Sequence, residues 1–353
     1  MIIDLDSHLY DGWYLDEVYK LDPPYEAYSP RRIRAGHDPG AFTNDLTPRN
    51  PQGAEARKRG AGPRDEGRQA QGMDMDHRWQ DVQREGIGAQ FLFPTDLIKA
   101  PWTAGGVGAA FCHAYNSWAH GLVDGHRDHF FPVGLAPFGC PDVMEAELRR
   151  CTGDLGFKAM HLAPHGLGRN LDDPSFYPYY QAAQDLDIPL FCHPGIVGDY
   201  SSRFDNFFSM HVVGRPVGCL TALIPLVTGG VFERFPRLKV VFFECSAEFI
   251  VYWMHRLEDD WETVKGDPYH DHLKLAPEDY IRRNCYVTCE ADEKLLGVTL
   301  SEFNENNVLM GTDYPHYDST FPNTVSTIRS REDISEHQKQ LIVEDNAAAL
   351  VKL

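Results

Sequence analysis

The stretch Asn307-Val-Leu-Met-Gly-Thr-Asp313-Tyr-Pro-His316 ends a short apolar run in a carboxylate, with a histidine three residues further on. The chain opens in the same way, with the apolar run 1–5 leading into Asp6-Ser7-His8. Two strand-like segments at opposite ends of the sequence therefore finish in side chains of metal-ligand type. A closed ring of parallel strands places its first and last strands side by side, with both segments at one rim.

Between them, strand-like runs recur at 87–93, 130–135, 157–162, 188–192, 238–243 and 285–289, and with 1–5 and 307–310 they number eight. Most are short, continuous and rich in β-branched or aromatic residues, as are parallel strands buried on both faces. Helical stretches are expected at 78–86, 109–124, 142–151, 219–235 and 247–264. Another starts at Asp172-Asp-Pro-Ser-Phe, which has good N-cap chemistry, and ends before Ile188. This alternation predicts an α/β fold, a (β/α)8 TIM barrel forming a single domain over residues 1–353. Residues 22–72 break the rhythm, being rich in Pro, Gly, Arg and Asp with little periodicity. They read as a long irregular insertion after strand one, either a surface excursion or a lid at the catalytic mouth. Residues 199–215 form a second long mouth loop, in which Arg203 and Arg215 are candidates to meet a substrate.

An apolar content of 42% and a charged content of 24% are those of a globular protein. The net charge of −19 argues against nucleic acid and anionic membrane as partners. No apolar segment is expected to reach bilayer-spanning length. The acidic opening Met1-Ile-Ile-Asp-Leu-Asp lacks the basic-then-apolar order of a secretion signal, so a cytoplasmic location is expected. The eight cysteines sit mostly inside apolar segments without a C-x-x-C pair, which predicts reduced, buried thiols. P-loop, dinucleotide and nucleophile-elbow motifs are absent.

Asp6 and His8 lie two apart on a strand, so both face the same side. His193 follows strand five in Phe-Cys-His-Pro-Gly, where Pro194 and Gly195 end the strand and turn the chain. With Asp313 these make two imidazoles and two carboxylates, a set that suits one divalent ion, Zn2+ or Mn2+. Glu244, ending strand six, is a candidate ligand or general acid/base, and otherwise an ordinary ion-pairing carboxylate. His316 is a candidate for proton transfer or substrate contact. His161 and His165 flank strand four and Lys158 lies early within it; these are pocket candidates. The early position of Lys158 argues against a bridging role between two metals.

Taken in order, several segments resemble the amidohydrolase superfamily, in particular its second amidohydrolase family, which contains aminocarboxymuconate-semialdehyde decarboxylase and aromatic acid decarboxylases. They are Asp4-Leu-Asp-Ser-His8, Arg84-Glu-Gly-Ile-Gly-Ala-Gln-Phe-Leu-Phe-Pro-Thr95, Gly156-Phe-Lys-Ala-Met-His-Leu162, Phe191-Cys-His-Pro-Gly195, the run 230–246, and Gly311-Thr-Asp-Tyr-Pro-His316. The resemblance implies a TIM barrel with one divalent metal, often zinc or manganese, and a homodimer or higher homo-oligomer. It implies decarboxylation by protonation of a ring or alkene carbon before loss of CO2, or hydrolysis by metal-activated water. Two departures stand out. The usual first motif is His-x-His, and here it is Asp6-x-His8. A catalytic histidine after strand six is matched here by Glu244.

The leading expectation is therefore a metal-dependent lyase that decarboxylates an aromatic or unsaturated acid without oxidation. Asp6, His8, His193 and Asp313 would hold the metal, and Glu244 or His316 would move the proton. The substrate would be a small molecule, a carboxylated aromatic or unsaturated compound. The alternatives are a metal-dependent hydrolase of an amide, lactone or C–C bond, with Asp313 or Glu244 as base, and a non-catalytic ligand-binding barrel.

Overall fold

The computed structural model describes residues 1–14, 66–165, 167–195, 204 and 206–353. Its eight strands are β1 (Ile2–Leu9), β2 (Ile87–Pro94), β3 (Phe130–Pro132), β4 (Met160–His161), β5 (Leu190–Cys192), β6 (Val240–Phe242), β7 (Cys285–Cys289) and β8 (Val308–Met310). Every strand pair is parallel, in the order β1-β2-β3 and β4-β5-β6-β7-β8. Two short parallel bridges join these arcs, Gly134 to Met160 and Ser7 to Tyr314. At the first, Gly134 N–H donates to the Ala159 carbonyl at 3.1 Å and His161 N–H to the Gly134 carbonyl at 2.7 Å. At the second, His8 N–H donates to the Tyr314 carbonyl at 2.7 Å. Strand one and strand eight are thus neighbours, as a barrel requires.

Alternation along each strand divides the apolar residues between two layers. Phe91, Phe93, Phe191, Val241, Phe243 and Leu309 share a core with Ile3 and Leu5. Their sequence neighbours Leu92, Leu190, Cys192, Val240, Phe242, Val308 and Met310 pack in the other layer with helix residues such as Leu223, Leu226 and Ile250. The first layer fills the barrel and the second seals the helices onto it.

Strand one departs from simple alternation. Its register against β2 shifts between Asp4 and Ser7. Such an irregularity re-aims side chains, and here it accompanies the approach of Asp6 and His8 to the site described below. The strand also runs on to Leu9, so Asp6-Ser7-His8 lies inside it rather than after it.

Several expected boundaries are corrected. The expected strand 157–162 is reduced to Met160–His161, which leaves Lys158 ahead of the strand. The helix after β5 starts earlier than expected, spanning Phe207–Thr228, and a separate turn forms Val231–Arg234. Pro216 and Pro225 lie inside the longer helix, so a reading of Pro216 as a breaker loses its first three turns. The lengthened helix corrects the expectation about spanning length: an 18-residue window within Phe208–Thr228 has a mean hydropathy of 1.5, long and apolar enough to cross a membrane by length and composition alone. Its Leu223 and Leu226 are fully buried in the barrel–helix layer. The insertion expected at 22–72 falls largely outside the described residues, but its last part is helical, Glu66–Gln71, rather than irregular.

Candidate active site

The ends of β1, β5, β6 and β8 converge. His8 Nε2 lies 3.5 Å from Asp6 Oδ1 and 3.3 Å from Asp313 Oδ1. His193 Nε2 lies 3.6 Å from Asp6 Oδ1 and 3.7 Å from Glu244 Oε2. His316 Nδ1 is hydrogen bonded to Asp313 Oδ1 at 2.6 Å, and its ring stacks on His8 with centroids 4.1 Å apart. Among the described residues, two overlapping sets have metal-ligand atoms mutually in range, Asp6–His8–His193 and His8–Glu244–Asp313–His316.

Local backbone presents these groups. Glu244 and Asp313 are non-glycine residues at φ 52° and 55°, in the left-handed region. Such conformations cost on the order of 1 kcal/mol or more and persist where the surroundings fix them. At Asp313 the fixing is visible: its N–H and that of Thr312 both donate to the Asp6 carbonyl, at 2.8 and 3.2 Å. Gly311 permits this approach, because a Cβ there would lie 2.5 Å from the Asp6 Cβ. At Glu244 the following turn is held by Glu293, whose two oxygens each accept the Ala247 N–H at 3.1 Å, while Oε1 also accepts the Glu290 N–H at 2.9 Å.

Beneath the site lies a buried polar network that sequence reasoning missed. Asp4 accepts from Thr312 N–H at 2.9 Å, from the Thr312 hydroxyl at 2.6 Å and from Gln90 Nε2 at 2.6 Å. Gln90 Oε1 in turn accepts from Arg78 Nε at 2.8 Å. Arg78 Nη1 donates to the carbonyls of His8 at 3.0 Å and Gly72 at 2.8 Å. The guanidinium therefore ties the end of the insertion to the strand that carries His8. A sequence signal did exist: Asp4 interrupts an apolar strand, and a charge there needs a buried partner.

The electrostatics show a site short of positive charge. Burial, then the nearby Asp6 carboxylate, holds the Asp313 carboxyl well above its ordinary range. Burial, followed by His316, pushes His8 well below the ordinary histidine value. Burial raises Glu244 to about 7 against the opposing pull of Arg215 and His193. Burial would also raise Asp6, but the attraction of the His193 and His8 rings, 3.6 and 3.5 Å from its Oδ1, outweighs it and the net shift is downward. Both ring nitrogens of His8 and of His193, together with Asp6 Oδ1 and Glu244 Oε1, are buried without a hydrogen-bond partner. Buried polar atoms are nearly always satisfied. Two imidazoles and two carboxylate oxygens left without partners in one buried cluster fit a divalent ion.

The remaining candidates are distributed unevenly. Arg215 reaches the cluster, its Nε 2.9 Å from Glu244 Oε2. His161 is fully buried, and its Nε2 lies 3.0 Å from the His193 carbonyl, which fixes its donor on that nitrogen. His165 stacks on Trp102 at 5.4 Å, and its carbonyl accepts the indole N–H at 2.6 Å. Lys158 is not brought to the group; its ammonium sits over the Phe131 ring at 5.9 Å, on the entry side of β4. Arg203 lies outside the described residues. Thr95, which sequence reasoning did not single out, places its hydroxyl 3.3 Å from His316 Nε2.

Several known proteins similar to this chain are decarboxylases. The chain is 27% identical over 282 residues to 2-amino-3-carboxymuconate-6-semialdehyde decarboxylase of Dictyostelium discoideum, spanning 79% of this chain and 77% of that protein. It matches the crystal structure of 5-carboxyvanillate decarboxylase from Sphingomonas paucimobilis with a TM-score of 0.75 at 20% identity, over 100% of this chain and 99% of that one. It matches dihydroxybenzoic acid decarboxylase from Polaromonas sp. JS666, solved with bound manganese and 2-nitroresorcinol, with a TM-score of 0.69 at 18% identity, over 100% and 97% of the two chains. At these identities the structural matches establish the TIM-barrel fold. The Amidohydro_2 family model matches residues 3–353, and the chain therefore belongs to the amidohydrolase family.

Proposed function

We propose that the protein is a metal-dependent lyase that removes the carboxylate of an aromatic or unsaturated acid without oxidation. The observation that carries this reading is the convergence of Asp6, His8, His193 and Asp313 with ring nitrogens and a carboxylate oxygen left unpartnered in a buried site. The decarboxylase names of the relatives support it. Asp6, His8, His193 and Asp313 would hold one divalent ion, Mn2+ or Zn2+, and manganese in the Polaromonas enzyme favours the former. When bound, such an ion supplies a Lewis acid that anchors and polarises carboxylate oxygens.

The chain's own residues supply the rest. Phe93 and Phe243 wall His193, with centroids 4.7 and 5.9 Å away, and give that side of the site an apolar lining. Glu244 binds Arg215 through Oε2 and leaves Oε1 unpartnered. Burial raises that carboxyl, which favours a proton on Oε1 that the reaction can use. That proton goes to the ring or alkene carbon bearing the carboxylate. The C–C bond then breaks, its electron pair restores the ring or alkene π system that protonation interrupted, and CO2 leaves. His316, gripped by Asp313 and facing the Thr95 hydroxyl, is the second group in place to relay or restore the proton.

Further parts of the proposal are a single domain over residues 1–353, a homodimer or higher homo-oligomer, and a cytoplasmic location, which the eight free thiols support. The test is CO2 release from a panel of hydroxylated aromatic acids by manganese-loaded protein. In D2O each product molecule gains one deuterium at the vacated carbon. Cleavage of amides or lactones with no CO2 from any acid would favour a hydrolase instead. Absence of stoichiometric metal in protein purified without chelator would weaken both.

A further inference from the structure

Just past the end of β1, Asp11 is fully buried, and its carboxyl collects the backbone N–H groups of three consecutive residues in the turn after β2. Oδ1 accepts from Thr95 at 2.7 Å and from Asp96 at 3.0 Å, and Oδ2 accepts from Leu97 at 2.9 Å. Leu97 opens the short helix Leu97–Trp102, and N–H groups at a helix start find no acceptor within the helix. Asp96 stands in the capping position but makes no capping bond with its own side chain. Its carboxyl lies instead against Gly12, where it leaves no room for a Cβ. The two acids thus interlock the end of β1 with the turn after β2.

That turn carries Thr95, whose hydroxyl is 3.3 Å from His316 Nε2, while His316 Nδ1 lies 2.6 Å from Asp313 Oδ1. As an ionised ligand Asp313 can only accept, so Nδ1 carries the hydrogen and Nε2 accepts from the Thr95 hydroxyl. The imidazole is gripped at both nitrogens and stacks on His8 at 4.1 Å. One tautomer and one orientation are what a group that moves a proton needs. The Thr95 backbone is in turn fixed by Asp11 and by the Leu9 carbonyl, which accepts the same N–H at 3.0 Å.

We infer that Asp11 is a positioning residue for His316, acting at a distance by holding the 95–97 turn so that the Thr95 hydroxyl fixes the ring. This deepens the decarboxylase reading and rests on it.

The test is a double-mutant cycle on manganese-loaded protein, using the hydroxylated aromatic acid that releases CO2 fastest. Thr95→Val and Asp11→Ala are each expected to lower kcat by about tenfold, with KM and manganese affinity within about twofold of the wild type. Once Thr95 is replaced by Val, Asp11→Ala is expected to cost no more than about twofold further. Asp11→Asn keeps an oxygen for the Thr95 and Asp96 N–H groups and is expected to recover most of kcat. An equal loss from Asp11→Ala in both backgrounds overturns the inference, as does a wild-type kcat in either single variant. Hydrogen exchange of the wild type needs no variant to fold. Its amides at 95, 96 and 97 are expected to exchange at least about tenfold more slowly than in an unstructured peptide. Unprotected amides there, in a protein that does release CO2, overturn this inference alone. If no acid releases CO2, the decarboxylase reading itself falls and takes the inference with it.

Discussion

The Asp313 N–H donates to the Asp6 carbonyl at 2.8 Å, joining residues that lie at opposite ends of the chain. This bond makes the barrel seam and the candidate metal site one structure. Gly311 sits at its tightest point, where an added Cβ would come within 2.5 Å of the Asp6 Cβ. Both backbones are hydrogen bonded there, so neither can yield cheaply. Gly311→Ala is expected to destabilise the fold by about 1–3 kcal/mol, the usual cost of overpacking, and to weaken manganese binding. Urea unfolding and a metal titration read both effects. A variant with native stability and native affinity would mean that the seam is looser than described.

Asp4 lies just below that bond. Its carboxyl accepts the Thr312 N–H and hydroxyl and the Gln90 amide, all in the interior. Asp4→Ala leaves these donors without a partner, and unsatisfied buried groups cost roughly 1–3 kcal/mol each. Chemical denaturation is expected to show a loss of at least about 2 kcal/mol. Unchanged stability would contradict the network.

His193 supplies one of the two imidazoles of the proposed ligand set and has no hydrogen-bond partner on either nitrogen. His193→Ala is expected to reduce manganese affinity by more than roughly tenfold while preserving the circular dichroism spectrum. Competition with a chelator of known affinity measures this. Equal affinity in the variant would remove His193 from the ligand set.

Glu293 gives a pH dependence of stability. Burial outweighs the backbone N–H groups it accepts and moves its carboxyl from 4.5 up to about 8. A raised carboxyl favours folding when protonated. Its contribution is fully present below the unfolded value and is lost as pH rises through the folded one, between about 4.5 and 8. The slope contributed in that window is at most ~1.4 kcal/mol per pH unit. Glu293→Gln keeps an oxygen for both the Ala247 and Glu290 N–H groups and cannot ionise. It is expected to lose less stability than the wild type between pH 5 and about 8. Parallel stability profiles for the two proteins would contradict the assignment.

The strand ends were legible in the sequence because their signals are local. A short apolar run followed by Asp313-Tyr-Pro, or by His193-Pro-Gly, marks both the strand and the place where it stops. The register shift between Asp4 and Ser7 was not legible, since it depends on pairing with β2, about eighty residues away. The same is true of Arg78, whose role lies in reaching His8, Gly72 and Gln90 at once. Glu244 was found by position, but its ion pair with Arg215 follows from a helix whose start the sequence hides behind Pro216. Local pattern locates ligand types at the rim, whereas long-range packing determines what each of them touches.

The central claim is that Asp6, His8, His193 and Asp313 hold a divalent ion that this chain uses to decarboxylate an aromatic or unsaturated acid. Its most direct measurement is CO2 release against bound manganese per chain, as chelated protein is reloaded in steps. The expected result is a rate that rises in proportion to occupancy, reaches its plateau near one ion per chain and falls to background without metal. CO2 release that persists at zero occupancy, or a fully loaded protein that releases none from any acid while cleaving amides or lactones, would contradict it.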